Sequence, residues 1–202
     1  MTETAEDLRL PEEDRMRADL YGFLSALLAT PPARHLLDRT ANLTGDDTDM
    51  GQAFAALAAI ARGLTPAAVE REFTDLFIGL GRGEILPYAS FYLTGFLNEK
   101  PLASLRKDMA ALSIRRAANI YEPEDNIASV MEMMGGLIAG RFGAPAPVAR
   151  QREFFNRHVA PWAGHFFADL EAAKGSVFYA PVGTIGRHFM AIEREGFRMA
   201  GR

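Results

Sequence analysis

The sequence predicts an all-α protein, and three observations carry that prediction. Apolar residues recur at the helical period of 3.6 through most of the chain. Proline and glycine punctuate these stretches where helices start and stop, and no long alternation of apolar and polar residues marks a strand. With 202 residues, 49% hydrophobic and 24% charged, the chain has the size and composition of one globular domain. The expected architecture is a single helical bundle with a hinge near 115–123. Its N-terminal half runs to about 118 and its C-terminal half from about 123, and a flexible acidic segment, 1–14, precedes the bundle proper at 15–199.

The elements follow in order. From Glu12, the spacing of Met16, Leu20, Phe23, Leu24, Leu27 and Leu28 makes a helix that Pro31-Pro32 stops. A short helix through His35 to Thr40 and a polar loop, Asn42 to Asp49, come next. Ala53, Phe54, Leu57, Ile60 and Ala61 mark another helix, ending at Gly63. Thr65-Pro66 reads as an N-cap with proline at the first helical position, opening a helix through Val69, Phe73, Leu76 and Phe77. The aromatic stretch 87–97 (PYASFYLTGFL) is a loop entering a helix, and Pro101 begins the next, with Leu102, Leu105, Met109 and Leu112 on one face. Asn119 to Pro123 breaks the pattern. A helix from Asp125 to Gly140 carries Ile127, Val130, Met131, Met134, Leu137 and Ile138 on one side, and two further helices fill 148–173 and 177–199.

Composition excludes several chemistries. With no cysteine, disulfide scaffolds, thiolate metal sites and cysteine nucleophiles are out. A net charge of −4 argues against a nucleic-acid binder that works by neutralising phosphates. The charge is uneven: the first 14 residues set six acids against Arg9, the middle is acidic, and residues 141–202 are net basic. No apolar run approaches the roughly 20 residues that span a bilayer, and the start lacks the basic and apolar regions of a secretory leader. The expected location is the cytoplasm.

Few residues are placed for chemistry. Gly79-Leu80-Gly81-Arg82-Gly83 follows a helix and lacks the ending of a P-loop, so it reads as a helix C-cap and turn rather than a phosphate cradle. His158, Trp162 and His165 are able to share a helix face with Asp169 beyond them. The alternatives there are a seam between helices and a small-ligand or metal site. No nucleophile elbow is present, so no catalytic residue and no cofactor is expected.

The segment Glu122-Pro-Glu-Asp-Asn-Ile127 is the most informative. Pro123 suits a helix start, and Glu124 and Asp125 suit its positive dipole end. Asp125, Ser129, Glu132 and Gly136 recur at helical spacing as a stripe of acids and small residues, able to hold a basic peptide or simply to face solvent. Met131, Met133 and Met134 read as core filler. Tyr88, Phe91, Tyr92 and Phe96 form an aromatic run beside glycines, suited to a core or to a recognition surface.

Taken in order, several pieces resemble the TorD/DmsD/NarJ family of redox-enzyme maturation chaperones. They are Glu72-Phe-Thr-Asp-Leu-Phe77, the glycine loop, Pro87-Tyr-Ala-Ser-Phe-Tyr92, and the Leu105-Arg106 helix. Then come Glu122-Pro-Glu-Asp-Asn-Ile127 with Glu132 and Met133, and Phe154-Phe-Asn-Arg-His158 with Pro161-Trp162 and Phe166. The resemblance covers roughly residues 15–195. It implies a cytoplasmic, all-helical, non-enzymatic chaperone. Such a chaperone binds the twin-arginine signal peptide, or the apo-form, of a molybdopterin-dependent oxidoreductase and delays export until the cofactor is inserted. It also implies a monomer or a dimer that exchanges halves; the client is left open among formate, nitrate, dimethyl sulfoxide and trimethylamine N-oxide reductases or dehydrogenases, with similarity of the opening segment leaning to a formate dehydrogenase. Guanine-nucleotide binding has been discussed for the family, and nothing in these residues supports it independently. Where the family usually has Asp-His-Ile, this chain has Asp125-Asn126-Ile127, and asparagine cannot become a cation.

The expected groove lies between the Glu72–Tyr92 region and the helix beginning at Pro123. Glu84, Glu122, Asp125 and Glu132 are expected to face the client's arginines. Phe77, Leu80, Tyr88 and Tyr92 are expected to receive its apolar stretch, with Pro87, Ser90, Pro123 and Asn126 completing the peptide site.

Overall fold

The computed structural model describes residues 10–118 and 120–201. Ten α-helices account for most of them, and no strand occurs among the described residues. Helix α1 (Glu12–Ala29) starts directly after Pro11, so Glu12, Glu13 and Asp14 form its first turn, where the helix dipole favours acids. The acidic segment therefore ends at Pro11 rather than at residue 14, and its residues 1–9 lie outside the described residues. Helices α2 (Arg34–Ala41) and α3 (Asp49–Gly63) follow, the latter capped by the Thr48 hydroxyl on Gly51 N.

Helix α4 (Pro66–Phe73) has the expected cap, Thr65 accepting from Ala68 N, and runs on as a π-helical turn, Thr74–Ile78. Gly79 ends it with φ of 61°, a left-handed conformation glycine adopts without strain. The C-cap reading of the glycine loop is therefore the one the fold bears out. Next come α5 (Ala89–Thr94), α6 (Lys100–Ala111), and a connector that reaches α7 (Ile127–Ala139). The expected helix over 148–173 is broken. It consists of α8 (Val148–Phe154), a π-helical turn, Phe155–Val159, and α9 (Ala163–Ala172) beyond Pro161. Helix α10 (Tyr179–Met199) closes the chain.

The most extensive helix pairings are α1 on α7 and α9 on α10, with α3 against α10 and α2 against α3. The halves on either side of the connector thus interleave around one core. Tyr21, Leu24 and Leu27 of α1 are fully buried with Met131, Met134 and Ile138 of α7 and Phe166, Phe167 and Leu170 of α9. Met133 is buried too, so the three methionines are core. A Cβ on Gly183 would stand 2.4 Å from Glu171 N and 2.7 Å from Phe167 O. Only glycine lets the α10 backbone come that close to α9.

Charge ties the same elements. Arg17 of α1 forks onto Glu193 of α10, Nε to Oε1 at 2.7 Å and Nη2 to Oε2 at 2.8 Å, and reaches Asp14 and Gln151 through Nη1. Tyr21 OH donates to the same Glu193 at 3.0 Å. Burial works against the charge of Arg17, but Glu193 outweighs it and pushes the guanidinium further above its usual range. Such a network belongs to the core of the bundle rather than to a site.

Candidate peptide-binding site

Two of the segments that carry the family resemblance meet. Residues 87–90 and 122–127 are laced together by Ala89 N to Asp125 O at 2.9 Å and Ile127 N to Pro87 O at 2.8 Å. Tyr88 and Asn126 pair in an isolated antiparallel bridge. Side chains extend the lacing: Ser90 N donates to Asp125 Oδ2 at 2.8 Å and Tyr88 OH to Glu122 Oε2 at 2.6 Å. Desolvation and Glu122 together push the Tyr88 hydroxyl well above its usual pKa, so it stays a donor. Pro87 is buried, Pro123 half-buried. The lacing joins the two sides of the expected groove at 87–90 and 122–127, and cavities open beside it.

Helix α7 begins at Ile127, two residues later than expected, because the Asn126 side chain accepts from Ala128 N and so caps it. Asn126 has a structural task that needs no charge. Glu124 and Asp125 therefore precede the helix instead of occupying its first turn. Asp125, almost wholly buried, holds the first turn of α5 through Ser90 N. Glu124 meets Arg106 at 2.8 Å and Arg116 at 3.8 Å. Burial opposes ionisation of Glu124, yet Arg106 holds its carboxyl below 4.5.

The other expected site residues separate into groups. Glu84 is taken up by backbone N–H groups of Lys174 at 2.9 Å and Gly175 at 3.4 Å, so it faces the α9–α10 loop rather than a shared acidic groove. Phe77 sits in an aromatic cluster, 4.9 Å from Phe73, 5.5 Å from Tyr179 and 6.5 Å from Phe166 between ring centroids, and is packed against the core. Tyr92 packs on Trp162 and Phe166 and donates to Asp169 at 2.8 Å. Burial and Asp169 push its hydroxyl well up. Leu80 projects fully into solvent. Phe77 and Tyr92, by contrast, are half-buried and packed against the core. The exposed apolar residues nearby are Leu93 of α5 and Leu80, Phe96 and Leu97 of the loops, and Arg82 lies over the Phe91 ring at 5.1 Å.

Two cavities flank the laced segments. One, about 150 Å³, lies under the connector and is lined by Met109, Ile114, Glu122, Ser129, Glu132 and Met133 among others. Glu132 is exposed and makes no ion pair among the described residues. Ser129 and Glu132 share this cavity as their spacing predicts, but Asp125 does not, and Phe142 covers Gly136. The other cavity, about 140 Å³, is lined by Ala89, Leu93, Ser104, Asp125, Arg157 and His158 among others.

The histidine alternative resolves into a helix seam. His158 is buried, its Nε2 2.6 Å from Asp108 Oδ2, and Trp162 Nε1 donates to His158 O at 2.8 Å. His165 is exposed and Asp169 is engaged by Tyr92. Among the described residues no three His, Cys, Asp or Glu converge to hold a metal ion.

Sequence reasoning missed the partners of Glu72. Its carboxylate accepts from Val177 N at 2.8 Å, Phe178 N at 3.1 Å and Tyr179 N at 2.9 Å, capping α10 from across the fold. The Glu72 motif was visible; its partners, more than 100 residues away, carried no sequence signal. Asp108 was missed as well, although the Phe154–His158 motif pointed toward its partner.

An all-helical bundle in which two resemblance-bearing segments, 87–90 and 122–127, meet beside two cavities fits the maturation-chaperone class. The family described as nitrate reductase delta subunit matches residues 43–168, and the chain belongs to it. Curated relatives include the chaperone protein TorD of Aliivibrio fischeri, 28% identical over 174 residues, covering 76% of this chain and 81% of the relative. TorD of Vibrio atlanticus is 26% identical, covering 90% and 94%. TorD of Photobacterium profundum is 30% identical, covering 80% and 73%. Among solved structures, a candidate redox enzyme maturation protein from Archaeoglobus fulgidus superposes with a TM-score of 0.58 at 20% identity. It covers 87% of this chain and 94% of that one, a likeness of fold.

Proposed function

We propose that this protein is a system-specific chaperone for a molybdopterin-dependent oxidoreductase. It binds the twin-arginine signal peptide of the apo-enzyme precursor in the cytoplasm and delays export until the cofactor is inserted. The observation that carries this reading is the lacing of 87–90 to 122–127. It brings two distant motifs of a TorD-like chain onto one face, with Asp125, Glu122 and Glu132 beside it. Carboxylates pair with guanidinium groups through charge-assisted hydrogen bonds. The exposed Leu80, Leu93, Phe96 and Leu97 offer an apolar surface to the run that follows the arginines in a leader. A formate dehydrogenase precursor remains the proposed client. The chain works as a monomer or as a dimer that exchanges halves about the connector, which a concentration series in size-exclusion chromatography distinguishes.

Co-production with a formate dehydrogenase precursor tests the reading. The expected result is co-purification of a precursor that retains its leader and lacks cofactor, reduced at least tenfold by Asp125→Asn. Asparagine keeps an acceptor for Ser90 N, so it removes the charge with little disturbance to α5; alanine would remove both. Recovery of only cofactor-loaded, leaderless enzyme would overturn the proposal.

A further inference from the structure

The cavity under the connector is lined by Arg115 and Arg116 together with Glu122, Glu124 and Glu132. The chain thus sets an Arg-Arg pair of its own against acids of the proposed peptide site. Ala117, Ala118, Ile120 and Tyr121 follow that pair, and Ile120 and Tyr121 are 44% and 87% exposed. A basic group followed by an apolar stretch is, in miniature, the order of a leader peptide.

The connector is fixed at both ends and loosely held between them. At its start Ser113 takes a left-handed φ of 59°, Ile114 N donates back to Met109 O at 2.9 Å, and the Ile114 side chain is buried. At its end Asp125 and Asn126 belong to the lacing. Between 115 and 122 the one backbone hydrogen bond among the described residues is local, Ile120 N to Ala117 O at 3.1 Å. Arg116 meets Glu124 only as an ion pair, Nε to Oε1 at 3.8 Å, with 41% of its side chain exposed. Arg115 makes no ion pair among the described residues. Counting Arg106, which pairs with Glu124, three guanidinium groups stand against three carboxylates here. Without Arg115 and Arg116 the same wall carries two negative charges in excess, the charge that one Arg-Arg pair of a leader neutralises.

We propose that Arg115-Arg116 is an internal decoy: in the free chain it holds the acids under the connector, and a client leader binds them only by displacing it. This rests on the chaperone reading above and adds its regulation. Exposed ion pairs are weak, so the decoy yields to a tight ligand and turns away basic segments that bind poorly. The affinity observed for a leader is then the intrinsic one reduced by the fraction of molecules whose decoy has left the acids.

The probe is a synthetic peptide bearing Arg-Arg followed by a leucine-rich run, titrated calorimetrically against the full chain. Arg115→Gln combined with Arg116→Gln is expected to tighten its binding about three- to tenfold. A companion peptide with citrulline, a neutral isostere, at both arginines is expected to gain nothing from that change. Arg34→Gln combined with Arg39→Gln removes the same charge from α2, which lines none of this cavity, and is expected to leave affinity unchanged. In nitrogen-labelled wild type, the Nε–H resonance of Arg116, assigned by its loss in Arg116→Gln, is expected to move to the position of a free arginine as unlabelled peptide saturates the site. Equal or weaker binding by the connector variant, or equal tightening by the α2 variant, overturns the decoy and leaves the chaperone reading intact. An Arg116 resonance unmoved at saturation does the same. Failure of wild type and connector variant alike to bind the Arg-Arg peptide overturns the chaperone reading itself, and the decoy with it.

Discussion

Three N–H groups at the start of α10 end on one carboxylate, that of Glu72. Those of Phe178 and Tyr179 are orphan donors of the helix terminus, that of Val177 lies just before it, and the anion also meets the positive end of the dipole. Removing it leaves them unsatisfied in a partly buried place, so Glu72→Ala is expected to cost about 2 kcal/mol in urea unfolding. Glu193 is a harsher case. It is 4% exposed and neutralises Arg17, so Glu193→Ala strands a cation and is expected to cost about 3–5 kcal/mol. An unchanged melting temperature in either variant would contradict these roles. At this scale the sequence exposes the residue type and hides the partner. Glu72 and Arg106 stand inside recognisable motifs, but their partners lie far off in the chain. Glu84 looked like a client-facing acid for the same reason, since nothing local shows that Lys174 and Gly175 claim it. Asn126 was legible as a missing charge, and its role as an N-cap became clear only once α7 began at Ile127.

At the scale of elements, helical period and proline–glycine punctuation located the helices. They failed where a helix changes type. The stretch 148–173 keeps an apolar period across a π-helical turn and the Pro161 break, so period alone joins α8 to α9. Close helix contacts were also silent in the sequence: the α9–α10 crossing depends on Gly183 meeting Glu171 N. Gly183→Ala is expected to force the pair apart and cost about 1–3 kcal/mol in thermal melts; a neutral effect would mean the crossing relaxes freely. The connector is pinned to α6 by Arg106 and Glu124. Because the folded pKa of Glu124 is depressed, this pin contributes above pH 4.5 and is lost as pH falls through the lower folded value. Proteolysis of the connector is therefore expected to accelerate on acidification below 4.5 in wild type. In Arg106→Ala it is expected to be fast already at neutral pH.

For the whole molecule, the decisive feature is interleaving. With α1 on α7 and α3 on α10, each half supplies the apolar cover of the other, although the sequence places them on either side of a break. Residues 1–118 alone leave Tyr21, Leu24 and Leu28 without α7, and are expected to show no cooperative melt until 123–202 are supplied. The same interleaving sets Asp125, at the end of the connector, against α5 and α6 of the other half. The proposed binding face is therefore a product of both halves of the fold. The central claim is that this face reads the leader of a client precursor. It is tested most directly by measuring affinity for the unfolded-cofactor-site precursor of a molybdopterin-dependent oxidoreductase with and without its leader. The account predicts that deleting the leader weakens binding at least tenfold in wild type and adds little further loss in Asp125→Asn. Equal affinity for both forms of the precursor in wild type would contradict it.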